Sequence, residues 1–363
     1  MRDSGRYPEV NKDLCVDCGL CEKVCQKLYP YEEHEPISVY AGINPDEDIR
    51  LSSSSGGMFT LLAYHVIEKG GVVFGAKFTD DWMVILSYTE TRDGIALFRG
   101  SKYLQAKVGT SYADAKDFLQ QGRQVLFTGT PCQISGLKHY LMRDYDNLIT
   151  LDIICHGVPS PKVWKKYITE VTNNAVPTIL TCSFRNKDNG WKNYNLHIDW
   201  DDNGKNNSIT SYYQTDPFMH GFLANMTMRP SCHTCKAKSG RSHSDITLGD
   251  FWGIQTIAPE MDDDKGTNIV LVNTLKGMNV LKSTIAKIEP VDFASSITHN
   301  PSWSVSSPIH NRRQKFYKSI DSCDSVVKLI ERELSHRSLL SYFQIVLRRL
   351  AQIMPYVRRN IIK

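Results

Sequence analysis

The sequence predicts an α/β fold with a largely parallel or mixed sheet and flanking helices, interrupted by a β-rich insertion and extended by a helical C-terminal tail. Three observations carry that expectation. Between residues 58 and 171, short runs rich in Val, Ile and Phe alternate with segments of helical period, the pattern of strand–helix–strand units around a parallel sheet. Residues 178–214 instead read as strands, with a hairpin signal at Asp202-Asn203-Gly204. The chain has 363 residues, 41% of them hydrophobic, which is enough for two or three packed domains.

The elements follow in order. Tyr7-Pro8-Glu9-Val10 reads as a short strand leading into a cysteine-bearing loop, and residues 31–50, acidic and proline-containing, read as a linker. Ser52-Ser53-Ser54-Ser55-Gly56-Gly57 opens a helix over residues 58–69, which Gly70-Gly71 ends. Val72-Val73-Phe74-Gly75-Ala76-Lys77-Phe78 is a buried strand. Helices are expected over 112–120, 133–142, 161–171 and 278–287, with strands over 124–128, 148–154 and 268–273. In residues 338–363, Leu339, Leu340, Phe343, Val346, Leu347 and Leu350 recur at helical spacing beside Arg348, Arg349, Arg358, Arg359 and Lys363. Such a basic amphipathic helix is expected to pack on its own domain; a membrane surface or a partner is the alternative. The division expected is a partial ferredoxin-like segment over 1–32, an α/β core over 50–290 and a C-terminal extension over 291–363.

The N-terminal segment carries Cys15, Cys18, Cys21 and Cys25, spaced x2, x2 and x3. Three thiolates at successive x2 spacing wrap one corner of a cubane cluster, and a fourth after three residues is the bacterial ferredoxin spacing, in which that Cys serves the other cluster. Zinc sites more often pair two CxxC turns across a longer loop. Gln26 follows Cys25 where the ferredoxin pattern has Pro.

Four further cysteines sit at element ends. Cys132 lies in Thr128-Gly129-Thr130-Pro131-Cys132-Gln133, between a strand and a helix, and Cys155 closes the next strand before His156-Gly157. The carboxyl ends of strands in an open parallel sheet form the ligand crevice. Both thiols face it if the strands are neighbours. Cys232-His233-Thr234-Cys235 adds a CxxC turn, and the four together can make a second thiolate site. The competing reading treats Cys132 and Cys155 as small buried apolar residues. Cys182 and Cys323 read as structural.

Other segments suit a phosphate or a flavin. Ser53-Ser54-Ser55-Gly56-Gly57 precedes a helix, where free N–H groups and the dipole favour an anion. Arg99-Gly100-Ser101-Lys102-Tyr103 adds two cations and an aromatic edge. Asp245 and Asp250 flank a run that ends in Phe251-Trp252-Gly253, and Asp250 beside the two aromatics is a catalytic candidate. His156 beside Cys155 is a candidate proton relay, set against the commoner role of a hydrogen-bonded structural His. GxGxxG, GxxxxGK(S/T) and GxSxG motifs are absent from the sequence.

Taken in order, Ser55-Gly56-Gly57, Arg99 to Tyr103, Thr128 to Gln133, Cys155-His156-Gly157-Val158-Pro159-Ser160, the Cys232/Cys235 pair and Ser244 to Phe251 resemble the coenzyme F-420 hydrogenase/dehydrogenase beta-subunit family, from about Asp13 to about Lys276. The resemblance implies an iron–sulfur flavoprotein with one or two 4Fe-4S clusters and FAD. It implies that Cys132, Cys155, Cys232 and Cys235 hold the core cluster. By the same resemblance Ser55, Gly56, Gly57, Lys102 and Thr130 line the flavin site, with Arg99 and Asp245 as further candidates. Similar bacterial proteins begin with a complete two-cluster ferredoxin module and resemble proteins found near polysaccharide-biosynthesis functions. Gly5-Arg6-Tyr7-Pro8-Glu9-Val10 resembles the linker before that module's second half. Three expectations follow for the N-terminal cysteines: more chain precedes Met1, the site is degenerate, or Cys25 turns back to close a single cubane.

Composition narrows the rest. A net charge of +4 gives no argument for nucleic acid. Ten clustered cysteines are too sparse for a disulfide scaffold and point to thiolate chemistry in a reducing cytosol. Residues 1–14 lack the apolar core of a signal peptide, and no run approaches a membrane span. The expectation is a cytoplasmic oxidoreductase, with peripheral contact of the tail at the inner membrane face as the alternative to its packing on the domain. Electrons would move between a ferredoxin-like donor near residues 15–25 and an unidentified small-molecule acceptor. The rivals are a non-catalytic electron-carrier subunit, a membrane-face scaffold for polysaccharide enzymes and a zinc-stabilised binding module.

Overall fold

The computed structural model describes residues 10–175 and 178–335. Its strands are, in chain order, β1 (Ser38–Ile43), β2 (Val72–Phe78), β3 (Val84–Thr89), β4 (Val125–Gly129), β5 (Leu148–Ile153), β6 (Ile179–Asn186), β7 (Asn195–Asp202), β8 (Lys205–Tyr212), β9 (Ile246–Asp250), β10 (Asn268–Val272) and β11 (Lys287–Pro290). Eight of them form one sheet in the order β11-β1-β10-β9-β5-β4-β2-β3, while β6-β7-β8 form a separate antiparallel sheet. The centre, β2-β4-β5-β9, is parallel. Its two edges are antiparallel, so the main sheet is mixed.

The longer helices are α1 (Met58–Glu68), α2 (Ser111–Gln120), α3 (Pro131–Leu141), α4 (Pro161–Val171), α5 (Leu275–Lys282) and α6 (Val326–Ser335). They explain why the central strands are apolar on both faces. Val73 and Leu126 face Leu62 and Val66 of α1. Their neighbours Val72, Phe74, Val125 and Phe127 face Leu119 of α2 and Leu137 of α3. The strand period of two thus feeds two separate helix layers.

Several expected bounds move for identifiable reasons. α3 starts two residues early because Thr130 and Gln133 form a reciprocal capping box ahead of Pro131. The helix expected over 278–287 lies at Leu275–Lys282, capped by the Thr274 side chain, and Lys287 begins an edge strand. The stretch 31–50 is not a linker. Val39 and Ala41 are buried, and β1 pairs with both β10 and β11. The core therefore starts before residue 50. It also extends past 290: Phe293, Ile297 and Trp303 pack beside Val39 and Ala41, and Leu329 and Ile330 of α6 join the cluster that holds Trp164 of α4.

The β-rich insertion over 178–214 is the three-stranded sheet, with Asn203 (φ 55°) and Gly204 (φ 82°) in the two-residue turn between β7 and β8. The strand expected at Tyr7-Pro8-Glu9 and the helix expected over 338–363 lie outside the described residues. Among the described residues, no helix is long and apolar enough to cross a membrane.

Candidate functional site

Three segments bring four thiols together. Cys132 sits in the first turn of α3, directly after β4, and Cys155 follows β5. β4 and β5 are parallel neighbours, with Gly129 opposite Asp152. Both strands therefore end at the same edge. Cys232 lies in the 3-10 turn Pro230–Thr234 and Cys235 just after it. A bridge between Pro159 and Met228 ties that turn to the loop after Cys155.

The thiols act on one another. Burial, then Cys132 and Cys232, push the Cys155 thiol up, and burial also raises Cys232. Desolvation, then Cys235 and Cys232, push Cys132 up to about 11. The Cys132 residue as a whole nonetheless keeps an exposed surface. Lys238 and Arg229 pull in the opposite direction, and the Val158 backbone N–H bonds to Cys232. Gly157 closes over the same turn: a Cβ there would collide with the Met228 sulfur and stand 3.3 Å from Cys232 Cβ. Among the described residues, no group of three or more His, Cys, Asp or Glu side chains is arranged to hold a single metal ion.

The N-terminal cysteine segment is bonded to these same loops. Cys15, Cys18 and Cys21 are exposed and Cys25 is half-buried. Gln26 Nε2 donates to the Cys132 carbonyl at 2.7 Å, and Lys27 Nζ donates to the Thr234 carbonyl at 3.0 Å. Further along, His139 Nε2 lies 2.8 Å from the Tyr29 carbonyl oxygen. The Tyr31 ring meets His139 and His243 at 4.4 and 4.5 Å. Val10, Leu14, Val16, Leu20, Leu28 and Tyr29 are exposed around the segment. The sequence marked Gln26 only as a departure from Pro; here it carries a docking bond.

The residues expected at a flavin divide into three groups. The loop at 52–57 and the Arg99–Tyr103 segment touch: Arg99 Nη1 donates to Ser52 Oγ at 3.0 Å and Ser101 N to Ser54 Oγ at 2.5 Å. Ser55 Oγ donates to the Thr267 carbonyl at 2.8 Å. A Cβ at Gly56 would collide with the Gly42 carbonyl, and Gly57 takes a φ of 79° to start α1. Lys102 Nζ lies on the carbonyls of Phe98, Arg99 and Gly100, and burial pushes its ammonium down to about 8. Thr130 belongs instead to the head of α3, 3.2 Å from Cys132 Sγ. Asp245 lies before β9, where its carboxylate accepts from Thr150 N and Oγ1 at 2.8 Å and from Thr274 Oγ1 at 2.7 Å. It ties β5, β9 and α5 together.

Asp250, at the other end of β9, accepts from Arg185 Nη1 at 2.6 Å. Arg185 also reaches Tyr103 Oη at 3.3 Å and lies over the Tyr194 ring at 3.9 Å. Burial opposes the guanidinium charge, but Asp250 overrides it and holds the group charged. His156 packs edge-on against Phe222 at 5.1 Å, and Phe222 meets Tyr103 at 5.1 Å. A run of rings thus leads from the neighbour of Cys155 to the Arg185–Asp250 pair. His156 Nε2 is buried without a hydrogen-bond partner among the described residues, and burial lowers the ring's pKa. Arg185 and Lys187 escaped the sequence reading, since each lies in a strand-rich insertion without a motif.

The fold is thus a mixed α/β core with four cysteines near the carboxyl ends of the central strands β4 and β5. Residues 122–292 match the family described as the C-terminal part of the coenzyme F420 hydrogenase/dehydrogenase beta subunit. The chain is also similar to a solved chain of the F420-reducing NiFe hydrogenase complex from Methanosarcina barkeri. The identity is 17% and the TM-score 0.50, over 84% of this chain and 93% of that one, a likeness of fold. No curated protein matches the chain.

Proposed function

We propose that this chain is an iron–sulfur and flavin-dependent oxidoreductase that moves electrons between a ferredoxin-like donor and a two-electron small-molecule acceptor. The observation that carries the reading is the meeting of Cys132, Cys155, Cys232 and Cys235, with Lys238 and Arg229 acting on the thiols. These four would hold the core cluster. The two cations offset the charge that four thiolates bring into a partly buried site.

Cys15, Cys18, Cys21 and Cys25 would serve a second cluster, whose segment is tied to the Cys132 and Thr234 carbonyls. The exposed apolar side chains around that segment offer a docking face to the donor. A bound flavin supplies the conversion between one-electron and two-electron chemistry. Toward its phosphates the chain offers Arg99 and the backbone of residues 53–57, because Ser55 Oγ and Lys102 Nζ already meet carbonyl oxygens. His156, kept neutral by burial, would accept a proton only transiently beside the thiols, and Asp250 would fix Arg185 next to the Tyr103 and Trp252 rings. Free thiols in this number suit a reducing compartment. A role beside polysaccharide synthesis rests on the sequence resemblance.

The test is anaerobic purification with iron, sulfide, zinc and flavin measured on one sample, beside Cys132→Ser and Cys235→Ser. The expected wild-type protein carries flavin and the iron of one or two cubanes, and each variant loses one cubane's iron, roughly four atoms. Full iron in both variants would refute the core assignment. Iron and sulfide without flavin would turn the reading to an electron-carrier subunit, and zinc alone would end the redox reading.

A further inference from the structure

We infer that Lys187 is a built-in monovalent cation whose ammonium locks the serine–glycine loop at 52–57 to the loop at 263–266. Its Nζ lies 2.8 Å from each of three carbonyl oxygens, those of Arg50, Ser55 and Lys265. These come from three segments: the helix Glu47–Leu51, the serine–glycine loop and the stretch before β10. An ammonium has three N–H donors and no acceptor, so three carbonyls satisfy it completely. Rings of carbonyl oxygens are also what proteins use to replace the water shell of potassium.

The surroundings separate Lys187 from an ordinary ion-paired lysine. Arg50, beside it, forks onto Asp263 at 2.7 and 2.6 Å and sends Nε to the Gly266 carbonyl at 2.8 Å. Arg185, two residues earlier, meets Asp250. Among the described residues the Lys187 ammonium meets carbonyl dipoles instead of a carboxylate. The fit is close on every side: Gly266 has φ 101°, and a Cβ there would stand 3.0 Å from Nζ and 2.8 Å from the Ser55 carbonyl carbon. Burial, then the Arg185 charge, push the ammonium down to about 7 while the more distant Asp250 and Asp263 pull it up, and hydrogen bonds to three carbonyls favour the charged form. Ser55 is the loop's central contact. Its carbonyl holds Lys187 while its hydroxyl holds Thr267, so the loop is tied at one residue to both flanks of the stretch before β10.

What Lys187 fixes is the geometry of the loop. This role rests on the proposed function only in giving that loop a ligand, and its test uses no flavin and no iron. The full chain would be made as Lys187→Ala and Lys187→Met, and unfolded thermally in ammonium, methylammonium, potassium or N-methylglucamine chloride at equal ionic strength. Both variants are expected to lose several degrees of midpoint, and hydrogen exchange at 52–57 and 263–266 to quicken roughly tenfold. Ammonium or methylammonium should restore the alanine variant saturably. The methionine variant should not respond, since its side chain fills the space. Equal recovery in N-methylglucamine, no recovery in any salt, or an unchanged alanine variant would overturn the inference. If the alanine variant does not fold, native wild-type protein treated with acetic anhydride decides. Lys187 should resist acetylation while exposed Lys165 reacts; labelling of both at one rate refutes the cage.

Discussion

Replacing Arg185 by Met while leaving Asp250 in place should cost more than replacing both. The pair joins β6 of the small sheet to the end of β9 in the main sheet, with Nη1 and Oδ2 2.6 Å apart and side chains only 4% and 19% exposed. Removing one partner of a buried pair strands the other charge, which costs about 3–5 kcal/mol. The Asp250 end keeps some contact with solvent, so the lower part of that range applies to Arg185→Met. Loss of the guanidinium from the Tyr194 face adds about 1 kcal/mol. Arg185 Nε and Nη2 are buried without hydrogen-bond partners among the described residues. The charged pair therefore carries a desolvation penalty that an apolar pair would not. Arg185→Met with Asp250→Leu should accordingly fall short of the sum of the single losses by about 2 kcal/mol or more. Urea unfolding of the wild type, both singles and the double gives the coupling directly. Additivity within about 0.5 kcal/mol would refute the reasoning. A further variant, Asp250→Asn, separates two roles for Asp250. An Asp250→Asn protein that keeps its stability and loses electron transfer would make Asp250 catalytic; one that loses both makes it an anchor for Arg185.

Two further outcomes are expected. Asp152 is buried beside Ser242, Ser244 and Thr247, and burial lifts its carboxyl from 3.8 to about 6. A folded pKa above the unfolded one means stability that is fully present below about pH 4 and lost as pH rises through about 6. The stability of wild type relative to Asp152→Asn should therefore fall by about 2 kcal/mol between pH 4 and pH 7, and a flat difference in urea titrations would contradict the burial argument. The second concerns docking. Gln26→Ala with Lys27→Ala removes the bonds to the Cys132 and Thr234 carbonyls. At about 1 kcal/mol for each exposed bond, protease cleavage within residues 10–33 should accelerate roughly tenfold or more, with the midpoint of the core unchanged. Unaltered cleavage would show that Tyr31 and the histidines alone hold the segment.

What was legible in the sequence was local. β2 and α4 fall at the expected bounds because an apolar run between glycines and charges, or a proline-started amphipathic segment, states its own period. The same local logic put Cys132 and Cys155 at the carboxyl ends of consecutive strands. Parallel pairing of β4 with β5 then brought those ends side by side. β1 was missed because acidic flanks masked an alternation that gains its burial only between β10 and β11.

Residue type and spacing by themselves determined the α/β class and the hairpin at Asn203-Gly204. The tertiary structure alone decided which charge meets which acceptor. Lys102 looks in sequence like a cation free for a phosphate, yet it bonds the carbonyls of its own turn. Lys187 and Gln26 carry no motif, yet they bridge segments more than a hundred residues apart. Their partners are backbone carbonyls, which every residue possesses and no sequence pattern marks. Only packing brings one particular carbonyl within reach of one particular donor.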